Sequence, residues 1–64
     1  MQIFIERSNE KKQLSFNGTV TQLLSSLHIN PEAVIVSRND ELVIETDHLA
    51  NTDTIKILSV VSGG

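Results

Sequence analysis

The residues with the clearest chemical potential close the chain. It ends "SVVSGG", which places Gly63 and Gly64, two of only three glycines in 64 residues, at the C-terminus. A carboxylate is resonance-stabilised and a poor electrophile. Acyl chemistry at Gly64 therefore needs prior activation, in a pocket that keeps water away from the activated carbonyl. A segment entering such a pocket must be thin and must accept the dihedrals imposed on it. Glycine has no Cβ and takes either sign of φ, and Ser62 continues the taper. The plain alternative is a frayed end without chemistry.

Other reactive types offer less. His28 stands where a helix is expected to end, and a cation there complements the helix dipole. His48 lies in a polar segment, and no His-x-x-x-His spacing suggests a metal. Asp40 and Glu41 fall in a tight turn, and a chain this short does not enclose a cleft for paired acid and base. Gly18 lacks the G-x-x-x-x-G-K context of a phosphate loop. There are no cysteines, which excludes disulfides and thiolate metal sites. The expectation is a protein that is not an enzyme and binds no metal or cofactor.

Charge and length narrow the partners. The net charge is −3, and Arg7, Lys11, Lys12, Arg38 and Lys56 are dispersed, whereas a nucleic-acid binder needs clustered positive charge. No apolar run approaches the roughly 20 residues that span a bilayer, and "MQIFIERSNEKK" reverses the polarity of a secretory signal. A soluble, cytoplasmic monomer without membrane or nucleic-acid contacts is expected.

The elements that must position the terminus follow from periodicity. In "MQIFIER", Ile3 and Ile5 alternate with Gln2 and Phe4, as in a half-buried strand. "SNEKK" reads as a polar turn and "QLSF" as the returning strand, so residues 1–16 form a hairpin. Thr19 is placed to cap a helix whose apolar face is Val20, Leu23, Leu24 and Leu27, and Pro31 stops its continuation. "AVIVSRN" reads as a buried strand, "DE" as a turn and "LVIE" as its partner. "TDHLANTD" is polar with one anchor, Leu49, and "TIKILSVV" is the final strand.

One short amphipathic helix needs a sheet to lie on, and this chain supplies one sheet's worth of strands. The expected fold is α+β, a β-grasp with order ββαβββ, a mixed sheet wrapped on one helix. Residues 1–61 form the single domain and 62–64 an exposed tail, with Val60 and Val61 finishing the last strand. If Ile55 and Ile57 face the helix, then Lys56, Leu58 and Val60 face outward beside Phe4 and Gln2. Phe4, Leu58, Val60 and Ser62 are thus the candidate partner-binding residues, since exposed apolar clusters mark interaction sites.

The first strand "MQIFI" is similar to that of ubiquitin. From "GTVTQLLSSL" through "VIVSRNDELVIE" to "DTIKILSVVSGG", the chain resembles the ThiS and MoaD sulfur-carrier superfamily and its relatives, the small archaeal modifier proteins. The resemblance implies chemistry at the last atom. An adenylating enzyme of the ubiquitin-activating, ThiF or MoeB type would use ATP to convert the Gly64 carboxylate, at the Gly63–Gly64 end, into an acyl-adenylate. A lysine of a target protein would then form an isopeptide bond, or a persulfide would lead to a thiocarboxylate for sulfur transfer, as in tRNA thiolation. Sulfur-transfer enzymes and target proteins are the further partners implied. Lys56, outward on the last strand, is the candidate acceptor for self-conjugation.

The tail departs from the relatives' patterns. ThiS proteins carry a "V-P-R-x-x-W"-like stretch where this chain has "VIETDHLA", MoaD tails contain proline, and ubiquitin has arginines where this tail is apolar or serine. The expectation favours a covalent modifier. The alternatives are a dedicated sulfur carrier for thiamin or molybdenum-cofactor synthesis, and a non-covalent binding domain with an inert tail.

Overall fold

The switch from strand to helix turns on Thr19. In the computed structural model, which describes residues 1–60, the Thr19 hydroxyl accepts from the Gln22 N–H at 3.2 Å, and the Gln22 side-chain oxygen accepts from the Thr19 N–H at 2.9 Å. This reciprocal capping box satisfies two donors that a helix start otherwise leaves unpaired. It opens α1 (Val20–Ser26), whose Val20, Leu23 and Leu24 are buried. Leu27, the fourth residue of the expected face, is half-buried at the C-cap.

The helix ends before Pro31 acts. His28 takes a left-handed φ of 58°, its N–H donates to Ser25 O, and the Ile29 N–H donates to Leu24 O at 2.9 Å. This is a Schellman motif, which satisfies the last carbonyls. Pro31 instead opens a 3-10 turn, Pro31–Ala33, capped by the Asn30 side chain.

Seven strands surround α1: β1 (Gln2–Ile5), β2 (Glu10–Gln13), β3 (Gly18–Thr19), β4 (Val34–Arg38), β5 (Glu41–Val43), β6 (His48–Leu49) and β7 (Thr54–Ser59). Five of them form a mixed sheet in the order β2-β1-β7-β4-β5. The first and last strands, β1 and β7, lie parallel at its centre, and all other neighbours are antiparallel. This is the expected α+β β-grasp. Its core is aliphatic, with Met1, Ile3, Val20, Leu23, Leu24, Val36, Leu49, Ile55 and Ile57 buried. Leu49 is the anchor expected of the polar segment.

Five local expectations are corrected. The second strand is "EKKQ" rather than "QLSF": β2 is an edge strand with all four residues exposed, and charged residues guard such an edge against stray pairing. Leu14 and Phe16 lie outside the sheet and pack against the core as partly buried residues, so their hydrophobicity signals a lid, not a strand. The β4–β5 turn is Asn39–Asp40, with φ of 51° and 69°, one residue earlier than "DE". Positive φ at both central residues suits a two-residue hairpin, and Asn and Asp tolerate it.

The third correction is an addition. β3 and β6 form a separate two-stranded sheet, pairing Gly18 with Leu49 and Thr19 with His48. Strands of two residues carry no readable alternation. The fourth concerns exposure. β4 is not uniformly buried, because Ile35 is 41% exposed on the face away from α1. At the far end β7 stops at Ser59, so Val60 does not continue the strand, and Val61 lies outside the described residues.

Candidate functional site: the outer sheet face beside the last strand

The parallel β1–β7 pair sets the geometry. Ile3 lies opposite Ile55 and Ile5 opposite Ile57 on the helix side, so Phe4 and Lys56 are partners on the other side. The register carries this row across the sheet: Lys11, Phe4, Lys56, Ser37, Leu42. The next row toward the C-terminus pairs Leu58 with Ile35.

The outward parity expected for Phe4, Lys56 and Leu58 matches this register, while Val60 lies just past β7 and outside it. Phe4 and Leu58 are half-buried, Lys56 is exposed, and Val60 is 46% exposed just past β7. Phe4 and Leu58 are not direct partners. They stand diagonally, Leu58 being two residues beyond Phe4's partner Lys56, a separation of about 7–8 Å that large side chains bridge. Ser62, Gly63 and Gly64 lie outside the described residues.

Two apolar members of this face were missed. Ile35 pairs with Leu58, and Leu42 is 72% exposed at the end of the Phe4 row. The available signal was parity within "AVIVSR". Placing Val34 and Val36 on the core side sends Ile35 and Ser37 outward. Reading the whole run as buried concealed this.

Lys56 holds a surface ion pair with Asp40, Nζ to Oδ1 3.4 Å. Asp40 sits on the positive-φ turn, so the turn geometry brings its carboxylate back over β7. The same end of the sheet contains Asp53. Asp53 is held below the usual carboxylate range, chiefly by the Ala50 N–H at 2.8 Å, with Asn39 Nδ2 at 3.2 Å and the positive charge of Arg38 adding to the effect against desolvation. That network ties the β4–β5 turn to the start of β7 and serves position rather than reaction. His48 is exposed in β6 and its carbonyl accepts from Arg38. Among the described residues no group of His, Cys, Asp and Glu could hold a metal ion, and no helix is long and apolar enough to cross a membrane.

The fold defines a ubiquitin-like β-grasp domain. The ThiS family model matches residues 2–64, and the chain belongs to the ThiS family. It is 35% identical over 60 residues to the sulfur carrier protein TtuB of Thermus thermophilus, spanning 91% of this chain and 92% of that one. An uncharacterized protein of Archaeoglobus fulgidus is 32% identical over 62 residues, 95% of this chain and 91% of that protein. Among solved structures, the crystal structure of the thiamine biosynthesis protein ThiS from Geobacter metallireducens superposes with a TM-score of 0.66 at 22% identity and full coverage of both chains. The solution structure of a thiamine biosynthesis protein from the same organism gives 0.61 at 25% identity, covering 100% of this chain and 88% of that one.

Proposed function

We propose that this protein is a sulfur carrier whose reactive group is the carboxylate of Gly64. The observation that supports this most is the ThiS-family match running through residue 64, together with the TtuB relative, itself named a sulfur carrier. The covalent-modifier expectation shares the activation step and differs in the atom that attacks the carbonyl. The family and the named relative favour sulfur over a lysine amine.

The chemistry runs on a partner enzyme. An adenylating enzyme of the ThiF or MoeB type transfers AMP from ATP to the Gly64 carboxylate and releases pyrophosphate. A persulfide on a sulfur-transfer enzyme then attacks the carbonyl carbon and AMP leaves, giving an acyl disulfide. A second thiolate cleaves the S–S bond, taking one sulfur into a new disulfide and leaving the thiocarboxylate on Gly64. The protein binds no cofactor in this cycle and acts as substrate, not catalyst. Residues 1–61 are the handle and 62–64 the part that enters the nucleotide site. Phe4, Ile35, Leu58 and Val60 form the apolar face by which the enzyme holds the carrier.

The test is intact-protein mass spectrometry after incubation with ATP, a persulfide source and extract from the source organism. Replacement of one terminal oxygen by sulfur at Gly64 is the expected product. A Gly64–lysine isopeptide without any thiocarboxylate would establish the modifier instead. Neither product, with deletion of Gly63 and Gly64 having no effect in the cell, would leave a non-covalent binding domain.

A further inference from the structure

The outer face of the five-stranded sheet is sorted by charge. Its strand residues are Gln13 and Lys11 on β2, Gln2 and Phe4 on β1, Thr54, Lys56 and Leu58 on β7, Ile35 and Ser37 on β4, and Leu42 on β5. None is acidic, although the chain has eight acidic residues against five basic ones. The carboxylates within these strands, Glu10 and Glu41, alternate to the other face, opposite Ile5 and Arg38. Asp40 at the turn is the acidic group that reaches the rim, where it pairs with Lys56. Lys11 makes no ion pair among the described residues.

The two lysines flank an aromatic ring. Lys11, Phe4 and Lys56 occupy one row on three adjacent strands, so their outer Cα atoms are about 9.6 Å apart at two interstrand spacings. Gln2, Gln13 and Thr54 stand in the row beside them, and these residues, with Ile3 and the Glu10-paired Lys12 at the edge, line an open concavity of about 670 Å³. Leu58 is two residues on from Lys56, about 6.6 Å along β7. This row therefore adjoins the Leu58–Ile35 row on the same face and adds charge to it.

We propose that Lys11 and Lys56, flanking Phe4, extend the docking face for the adenylating enzyme, and that the enzyme meets them with carboxylates about 10 Å apart on either side of an apolar side chain. The inference rests on the sulfur-carrier reading and names the chemistry of the partner surface. Charge complementarity selects the occupant: the face carries positive charge on a protein that is acidic overall, so an acidic partner surface is attracted here and repelled elsewhere. Phe4 supplies the area that a lysine pair lacks. Exposed charges of this kind act mainly on encounter rate and salt dependence, and their effect is screened beyond about 8 Å at physiological ionic strength.

The experiment is steady-state ATP–pyrophosphate exchange by the adenylating enzyme of the same organism, with the full-length carrier as varied substrate. Lys11→Glu combined with Lys56→Glu is expected to raise KM about tenfold or more with kcat nearly unchanged. The wild-type KM should climb between about 50 and 500 mM NaCl, and that of the double variant should not. Lys11→Arg with Lys56→Arg should restore both KM and salt slope. Both lysines are exposed, and circular dichroism confirms that each variant is folded. An unchanged KM and salt slope in the double glutamate variant, with the wild type adenylated, overturns the inference and leaves the sulfur-carrier reading standing. Binding of a fluorescent single-stranded RNA that is lost in the variant, with KM unmoved, also overturns it by assigning the row to nucleic acid. A wild-type chain that is not adenylated at all refutes the functional reading and this inference with it.

Discussion

The Val60 N–H donates to the carbonyl oxygen of Ala33 at 3.0 Å, just beyond the last β7–β4 register pair, Ser59 with Val34. This bond fixes the point from which the chain continues toward Gly64. Ala33 closes the 3-10 turn that opens at Pro31, so the turn after the helix anchors the residue that follows the sheet's central strand.

Val60→Pro removes that donor while leaving every strand residue in place. A single exposed backbone bond contributes about 1 kcal/mol, so the domain should remain folded with a slightly lower Tm. The expected loss is functional: the exit direction of the tail is no longer set, and adenylation should fall several-fold. Parallel thermal melts and exchange assays check this. A variant with wild-type exchange would show that the enzyme does not require a fixed departure point.

Gly18 and Gln22 make a coupled pair. A Cβ built on Gly18 would overlap the Gln22 side-chain oxygen and reach the Phe16 ring at 3.0 Å. Gly18→Ala should therefore break the capping box by steric conflict, and Gln22→Ala breaks it by deletion. Cap losses cost about 1 kcal/mol, equivalent to several degrees in Tm for a domain of this size. Because both substitutions act on the same hydrogen bond, the double variant should be less destabilised than the sum of the single ones. Strict additivity in urea denaturation would contradict the coupling.

What the sequence made legible follows from where the signal resides. Thr19, Val20, Leu23 and Leu24 are local signals, since capping and a 3.6-residue period are complete within one turn or two, and they located α1. The parity of Ile55 and Ile57 was equally local and oriented the outer face. The charged edge β2 was not legible, because its partner β1 decides its pairing and its own residues read as a loop. The β3–β6 pair was hidden for the same reason, its contacts joining residues about 30 apart in the chain. Ile35 was lost to a run of apolar residues in which burial on one face and exposure on the other look alike.

Asp53 gives a pH prediction with a definite sign. Its folded carboxyl lies below the ordinary value of 3.8, mainly through the Ala50 N–H. The charged, hydrogen-bonded form is favoured by folding, so its stabilisation is fully present above 3.8 and is lost as pH falls through the lowered folded value. Asp53→Asn should lower Tm at neutral pH, and the gap between variant and wild type should close below pH 3.8. Thermal melts as a function of pH provide the check. A gap that persists undiminished at lower pH would assign the effect to hydrogen-bond geometry alone.

Ile35 and Leu58 test the tail-proximal face directly. They are register partners on β4 and β7, outside the core formed by Ile55, Ile57 and Val36. Replacing either by Asp puts a charge on a face that carries no acidic strand residue, and it removes apolar area worth about 25 cal/mol per Å² wherever a partner covers it. Ile35→Asp, at the more exposed position, should leave folding nearly intact and raise KM for adenylation by an order of magnitude or more. Leu58→Asp should do the same with some loss of stability, because Leu58 is half-buried. Ser26→Lys, an exposed change on α1 across the sheet from these rows, serves as the control and should leave KM within about twofold, as expected of a surface site outside the contact. If Ile35→Asp is folded and adenylated with wild-type KM, the enzyme does not use the tail-proximal row, and its grip lies on the Lys11–Phe4–Lys56 row or on the tail.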